Sequence, residues 1–256
     1  MKLTVLAIAM LISLCNTANA QPLVSKVYSW ETSPVKSNKT GSSKKIFSGS
    51  GLTLAKHEIN GVSLLKGKSI VYKADANGYE RFLIIKDGPV TVYLNDEVSV
   101  IDRGSIVLIL PGDKVSVQNA GDETAEFYEI NYRSIEPANH ERGRDAGASF
   151  VINWNKLVVK PTTKGNTRQV ADRQTTMLNN LNIHVTQLNA GLKSHEPHTH
   201  KNEEIMLMLD GNAEVQIGAE HQKANAGDLV FLGSTVLHNI TNIGKTPCLY
   251  YAIQWN

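Results

Sequence analysis

Residues 191–211 decide how the chain folds, and they read GLKSHEPHTHKNEEIMLMLDG. Side chains two residues apart on a β-strand lie on the same face. His198 and His200 therefore point to the same side, and Glu204 follows at an even spacing that keeps it on that side or just past a bend. This spacing predicts two imidazoles and one carboxylate that are close enough to share one metal ion.

A second segment supplies one more imidazole. Residues 227–233 read GDLVFLG, and His238 and Asn242 follow them. Three histidines and one carboxylate form a nitrogen and oxygen ligand set that suits Mn, Fe, Co, Ni, Cu or Zn and is poor for Ca or Mg. We therefore expect one divalent transition metal ion, bound by His198, His200, Glu204 and His238.

The two segments resemble the two sequence motifs of the cupin superfamily. The first motif (Gly, six residues, His-x-His, three residues, Glu, six residues, Gly) is matched throughout residues 191–211. The second motif (Gly, then His, three residues, Asn) is present at residues 227–242. It departs from the family at Gly233, where proline is usual, and at Thr235, where glycine is usual. The resemblance implies a double-stranded β-helix, or jelly-roll barrel, with the metal inside.

The chain repeats itself at an offset of 123 to 124 residues. Residues 27–30 (VYSW) match residues 151–154 (VINW), and matched glycines continue along both halves. The pairs are Gly41 and Gly165, Gly67 and Gly191, Gly88 and Gly211, and Gly104 and Gly227. Short β-branched runs between Gly, Asn and Asp turns are typical of a sandwich or barrel. The sequence thus predicts an all-β bicupin, two tandem cupin barrels spanning residues 21–140 and 141–256.

The N-terminal copy lacks the expected ligands. A shift of 123 residues places Asp75, Asn77, Arg81 and Val115 opposite His198, His200, Glu204 and His238, respectively. A shift of 124 places Glu80 opposite Glu204 but restores no histidine. We therefore expect a degenerate first barrel without a metal, in which Asp75 and Arg81 form a salt bridge. The favoured role is a scaffold that takes the place of a dimer partner, and the alternative is an anion-binding pocket around Arg81.

Four further positions lie close to the expected site. His195 either approaches the ion or supports a ligand, or it is a loop histidine in solvent, which is the favoured interpretation. Glu203 alternates with Glu204 and should face outward. Met206 and Met208 share the parity of Glu204 and should line the barrel near the metal, or fill its core.

The terminal strand also contributes to the barrel. Alternate members of Tyr250, Tyr251, Gln254 and Trp255 should face inward, although the pattern does not decide which set.

Residues 1–20 have the pattern of a secretory signal peptide. Lys2 is followed by a short apolar run, and Ala18-Asn19-Ala20 forms a small-residue cleavage site. An uncleaved anchor and a lipoprotein acylated at Cys15 are the alternatives. We expect cleavage before Gln21 and an exported protein, periplasmic or extracellular. No other stretch is apolar enough to span a membrane, and Cys248 would be the sole remaining cysteine.

The net charge and the distribution of basic residues indicate which partners to expect. The formal net charge is +2, and the basic residues are scattered along the chain, so we expect no nucleic-acid partner. A small-molecule ligand or substrate is expected in the second barrel, and a homodimer is compatible with the sequence.

The resemblance implies several functions. Cupins with this ligand set include dioxygenases, isomerases, decarboxylases and lyases. The first hypothesis is a metal-dependent enzyme, of dioxygenase or isomerase/lyase type, that acts on a small polar or oxygenated molecule such as a sugar acid or an enolisable carbonyl compound. In it, Glu204 is the candidate catalytic base. The alternatives are a non-catalytic ligand-binding or storage-type bicupin with a structural metal, and a metal-binding protein of the envelope. Polar groups beside the ion would favour the enzyme.

Overall fold

The computed structural model describes residues 21–256, and nearly all regular structure in this range is β-strand. The N-terminal half contains β1 (Lys26–Tyr28), β2 (Val35–Ser37), β3 (Gly41–Gly49), β4 (Leu54–Leu64), β5 (Ser69–Tyr72), β6 (Glu80–Asp87), β7 (Val90–Leu94), β8 (Glu97–Ile101), β9 (Ile106–Ile109), β10 (Val115–Asn119), β11 (Ala125–Ser134) and the helix α1 (His140–Asp145). The C-terminal half contains β12 (Phe150–Ile152), a 3-10 helix (Trp154–Lys156), β13 (Lys160–Thr162), β14 (Gly165–Arg173), β15 (Leu181–Leu188), β16 (Glu203–Asp210), β17 (Asn212–Ile217), β18 (Glu220–Asn225), β19 (Leu229–Leu232), β20 (His238–Asn242) and β21 (Cys248–Trp255). The predicted all-β class is confirmed.

Each half forms a barrel from one large and one small antiparallel sheet. The first barrel pairs the seven-stranded sheet β12-β9-β6-β11-β4-β3-β2 with the four-stranded sheet β5-β10-β7-β8. The second pairs the seven-stranded sheet β1-β19-β16-β21-β15-β14-β13 with the three-stranded sheet β18-β17-β20. The predicted tandem of jelly-roll barrels is therefore present.

The two large sheets pack against each other, and this contact explains their composition. Strands β6 and β16 are buried on both faces, because one face fills the barrel and the other meets the opposite barrel. Doubly buried strands lose the polar alternation of a solvent-facing sheet. The shared core between the barrels includes Trp30, Tyr128, Phe231, Tyr251 and Trp255, and each barrel has a separate interior core.

The halves exchange one strand each. β1, from the N-terminal half, pairs antiparallel with β19, with Val27 opposite Val230. β12, from the C-terminal half, pairs with β9, with Val151 opposite Val107. The repeated segments 27–30 and 151–154 thus begin in strands that cross to the other barrel. The domain limits at residues 140 and 141 stay a prediction.

Two matched contacts involve glycines that recur at the repeat offset. The Tyr128 hydroxyl donates to the Gly227 carbonyl, and the Tyr251 hydroxyl donates to the Gly104 carbonyl. Both glycines have positive φ. A Cβ at Gly104 would lie 2.6 Å from the Trp154 ring, so a side chain does not fit there.

The predicted signal peptide and the expected lack of a further membrane span can be compared with the structure only over residues 21–256. The expected signal peptide, including Cys15, lies outside the described residues. Within residues 21–256, no helix has the length and hydrophobicity needed to cross a bilayer. Cys248 is buried and free.

Candidate metal centre

Three histidines of the second barrel converge. His198, His200 and His238 each offer a ring nitrogen, and these ligand atoms all lie within 4.8 Å of one another. A two-way backbone bridge brings two of them together, since His198 N donates to His238 O at 3.1 Å and His238 N to His198 O at 3.0 Å. Their ring centroids are 4.6 Å apart. The His-x-His pair and the later histidine therefore meet as the spacing predicts.

Backbone carbonyls orient two of these rings. His200 Nδ1 lies 2.8 Å from Asn202 O, and His238 Nδ1 lies 2.8 Å from Val236 O. A carbonyl only accepts, so each Nδ1 carries a hydrogen and each Nε2 is the nitrogen left to bind a cation. Metal-binding histidines usually have their second nitrogen held in this way. The residues present thus fit a divalent transition metal ion.

Glu204 completes the group. Its Oε2 lies 3.0 Å from His200 Nε2 and 3.5 Å from His238 Nε2, and Gln254 Nε2 donates to the same oxygen at 3.1 Å. Burial alone would raise the pKa of Glu204, but the adjacent His200 and His238 rings lower this pKa to about 2. The hydrogen bond to Glu204 raises the pKa of His200. All four predicted ligands meet, and their role as ligands stays a prediction.

His195 is not isolated in solvent. It is half-buried, its ring centroid lies 4.2 Å from that of His198, and its Nδ1 lies 2.9 Å from Glu196 O. Of the two interpretations, an approach to the metal site fits this position better than a free loop histidine.

Glu203 faces out of its own barrel, as expected, but it is buried. Only 3% of the residue is exposed, because this face packs on the N-terminal half. Its carboxylate accepts hydrogen bonds from Leu52 N at 2.9 Å and Thr53 N at 3.4 Å. The alternation of side chains along the strand predicted the correct face for Glu203. The packing of the two barrels determines that this face is buried.

A cavity of about 450 Å³ opens beside the histidines. Most of the residues that line it are polar, and Met206, Leu188 and Ala252 supply apolar surface. The polar lining consists of Thr162, Thr163, Lys164, Asn166, Thr167, His184, Thr186, Gln187, Ser194, His195, His198, Glu204, Tyr250 and Gln254. Met208 is buried in the interior core of the same barrel instead.

The structure resolves which terminal-strand set faces inward. Tyr250, Ala252 and Gln254 line the cavity, whereas Tyr251 and Trp255 join the core between the barrels.

The sequence patterns did not identify His184 and Lys164 as residues of the site. On β15, apolar Ile183 and Val185 alternate with polar His184 and Thr186. Such alternation normally indicates a solvent face. Here the polar side faces the cavity, and the burial of His184 lowers its pKa.

In the first barrel, Arg81 stands where Glu204 stands in the second. Arg81 pairs in register with Asn131, just as Glu204 pairs with Gln254. Arg81 Nε donates to Asn131 Oδ1 at 2.6 Å and lies 3.3 Å from Glu129, and the guanidinium stacks on Tyr72.

The predicted Asp75–Arg81 salt bridge is wrong. The Asp75 carboxylate accepts from Asn77 N at 3.0 Å in a local turn, and Arg81 finds its carboxylate on the neighbouring strand. In the described part of the chain, His198, His200 and His238 are the sole such cluster of candidate metal ligands.

Comparisons with known proteins agree with this architecture. The cupin domain family model matches residues 184–254, which contain all four predicted ligands. No curated protein sequence matches the chain. The chain has the bicupin fold, with a cupin domain in its C-terminal half.

Three solved structures show the extent of the similarity. The oxalate decarboxylase of Lactobacillus farciminis, in its formate complex, is 14% identical with a TM-score of 0.70, covering 93% of this chain and 88% of that chain. A putative glyoxylate-induced protein from Pseudomonas aeruginosa is 18% identical with a TM-score of 0.69, covering 87% and 84%. The oxalate decarboxylase of Bacillus subtilis, which has Mn(II) centres, is 14% identical with a TM-score of 0.68, covering 92% and 78%. At these identities the likeness shows the shared fold.

Proposed function

We propose that the second barrel is a metal-dependent enzyme site, of dioxygenase or isomerase/lyase type, for a small polar or oxygenated molecule such as a sugar acid or an enolisable carbonyl compound. The observation that carries this proposal is the cluster of three imidazoles, with ligand atoms within 4.8 Å of one another, beside a cavity of about 450 Å³. A divalent metal held by His198, His200, Glu204 and His238 would act as a Lewis acid or as an oxygen-binding centre.

Side chains in the cavity would supply proton transfer and substrate binding. Among the described residues that line the cavity, Glu204 is the one carboxylate, which makes it the candidate proton acceptor. Most of the residues that line the cavity are polar, and these groups favour turnover over the alternative of a storage-type bicupin with a structural metal. Mn(II) is the ion to test first, given the Mn(II) centres of the Bacillus subtilis relative.

Metal analysis of the purified protein tests the site. His198→Ala should lose the ion while the thermal unfolding midpoint of the metal-free protein stays unchanged. His221→Ala is the matched control, because His221 is an exposed histidine of the same barrel outside the cluster. Retention of the ion in His198→Ala, or failure of the wild-type protein to bind Mn(II), Fe(II), Co(II), Ni(II), Cu(II) or Zn(II), would contradict the proposal.

Activity assays test the chemistry. Oxygen uptake and product formation across a panel of small acids and carbonyl compounds, with Mn(II)- and Fe(II)-loaded protein, separate a dioxygenase from an isomerase. No turnover with any metal would favour the binding alternative.

We also propose export of the mature chain from Gln21 to the periplasm or the medium. The support is the sequence pattern of residues 1–20. N-terminal sequencing of protein recovered from these fractions should begin at Gln21. The homodimer and the domain limits stay predictions, which light scattering and limited proteolysis test.

A further inference from the structure

One residue in the wall of the metal-site cavity carries a positive charge. Lys164 lies in the turn between β13 and β14, and its Nζ donates to Ser194 O at 2.9 Å. An ammonium group has three donors, so this bond fixes the head group and leaves two donors. Among the described residues, Nζ has no ion-pair partner. The Lys164 ammonium group is thus held in place by a hydrogen bond and has no counterion among the described residues.

A divalent cation at the histidines would leave the cavity with an excess of positive charge. Among the described residues, Glu204 is the sole carboxylate in the lining, and its Oε2 is already in contact with His200, His238 and Gln254. A divalent cation at the histidines would add to the positive charge of Lys164. A bound anion would neutralise this excess in a partly enclosed space, where charges are screened less than in water.

Hydroxyl groups accompany the lysine. Thr186 and Tyr250 face each other in register on neighbouring strands, and Ser194 adds a third hydroxyl to the lining. Such groups either donate or accept, which suits the alcohol or carbonyl oxygens of a polar ligand. Met206 and Ala252 offer surface for a short carbon skeleton.

This arrangement is particular to the metal-binding half. Thr40 occupies the equivalent turn of the first barrel, because Thr40 O accepts from Leu65 N as Lys164 O accepts from Asn189 N. Of the two halves, the one with the histidine cluster is the one with the lysine.

We propose that the cavity binds a small hydroxy or keto carboxylic acid, whose carboxylate pairs with Lys164 while another oxygen points to the metal. This inference rests on the proposed metal site and names its substrate class. Lys164 is the specificity-determining residue.

Calorimetric titration of the Mn(II)-loaded protein with glycolate, glyoxylate, glycerate, malate and gluconate tests it, alongside glycerol and glyceramide as neutral analogues. At least one acid should bind more tightly than the neutral compounds. Lys164→Met should weaken that binding about 10- to 100-fold, as expected for a hydrogen bond to a charged group, and Lys164→Arg should weaken it less.

Lys160→Met is the control, because Lys160 is exposed on the same hairpin and lies outside the cavity lining. Inorganic phosphate in the same titration shows whether any anion suffices. Equal binding of acids and neutral analogues, binding of phosphate as tight as that of the best acid, no acid binding, or no effect of Lys164→Met would overturn the inference. The proposed metal site would survive each result if Mn(II) remained bound, so the two failures are distinguishable.

Discussion

Glu80 and Glu203 occupy the same position in the two barrels, and the carboxylate of each accepts a backbone hydrogen bond from the opposite half of the chain. Glu80 accepts from Met177 N at 3.1 Å, and Glu203 accepts from Leu52 N at 2.9 Å. Both side chains are buried. Gly51 lies so close to Glu203 that a Cβ there would be 2.5 Å from the carboxylate. The two glutamates therefore tie each large sheet to the other.

Glu203→Gln should lower both stability and metal affinity. Loss of a charge-assisted acceptor in a buried contact costs about 1–3 kcal/mol. Glu203 precedes Glu204 on β16, so loosening this end of the strand should also disturb the predicted ligand. Urea unfolding and Mn(II) titration measure the two effects separately.

Glu80→Gln is the matched control for that experiment. It should lower the free energy of unfolding comparably and leave the Mn(II) affinity unchanged, because β6 carries no predicted ligand. Equal losses of affinity in both variants would show that the interface acts only through global stability.

Gln254→Leu should weaken metal binding about tenfold, the lower end of the range for residues that support metal ligands. Gln254 is the donor that orients Glu204 without being a predicted ligand itself. Competition with a fluorescent chelator measures the change. Asn131→Leu, the same position in the first barrel, should leave the affinity unaltered.

The first barrel should bind no ion, so the protein should contain one metal per chain. Arg81 fills the place of Glu204 and is paired with Glu129. Arg81→Met should leave the metal content unchanged and cost about 1–3 kcal/mol of stability, because Glu129 loses its cation. Elemental analysis that found two ions per chain would contradict this expectation.

His57→Leu should reduce the loss of folding stability that occurs as the pH falls below 6.5. Burial lowers the pKa of His57 from 6.5 to about 3, so below pH 6.5 the unfolded chain binds a proton that the folded protein does not. Stability therefore falls as pH decreases from 6.5 towards 3, by as much as about 1.4 kcal/mol per pH unit.

Leucine is the appropriate replacement, because the register places Leu181 at the equivalent position of the second barrel. Urea unfolding of wild-type and variant protein at pH 7 and pH 5 measures the difference. An unchanged pH slope in His57→Leu would rule out His57 as its source.

The sequence was informative wherever local spacing determines geometry. His198 and His200 lie two residues apart and converge, and Glu204 joins them from the start of β16, just past a bend at residues 201–202. The fixed offset between Gly104 and Gly227 indicated duplication, and the structure shows the reason, an indole ring packed over each glycine.

Long-range packing set the features that spacing did not reveal. The pattern placed Glu203 outside its barrel but did not show that a second sheet covers that face. Arg81 was expected to pair with nearby Asp75, whereas its partner Glu129 lies on the adjacent strand, 48 residues further along the chain. Lys164 joins the site only because the turn before β14 lines the cavity, which no local motif predicts.

The crossing of β1 and β12 makes the two halves mutually dependent. A fragment beginning at residue 141 would lack Val27 opposite Val230, so β19 would keep a row of unsatisfied N–H and C=O groups along one side. Unpaired edge strands of this kind tend to form hydrogen bonds with other chains. Either half produced separately should therefore self-associate, and a soluble single barrel would require its missing strand to be grafted back on.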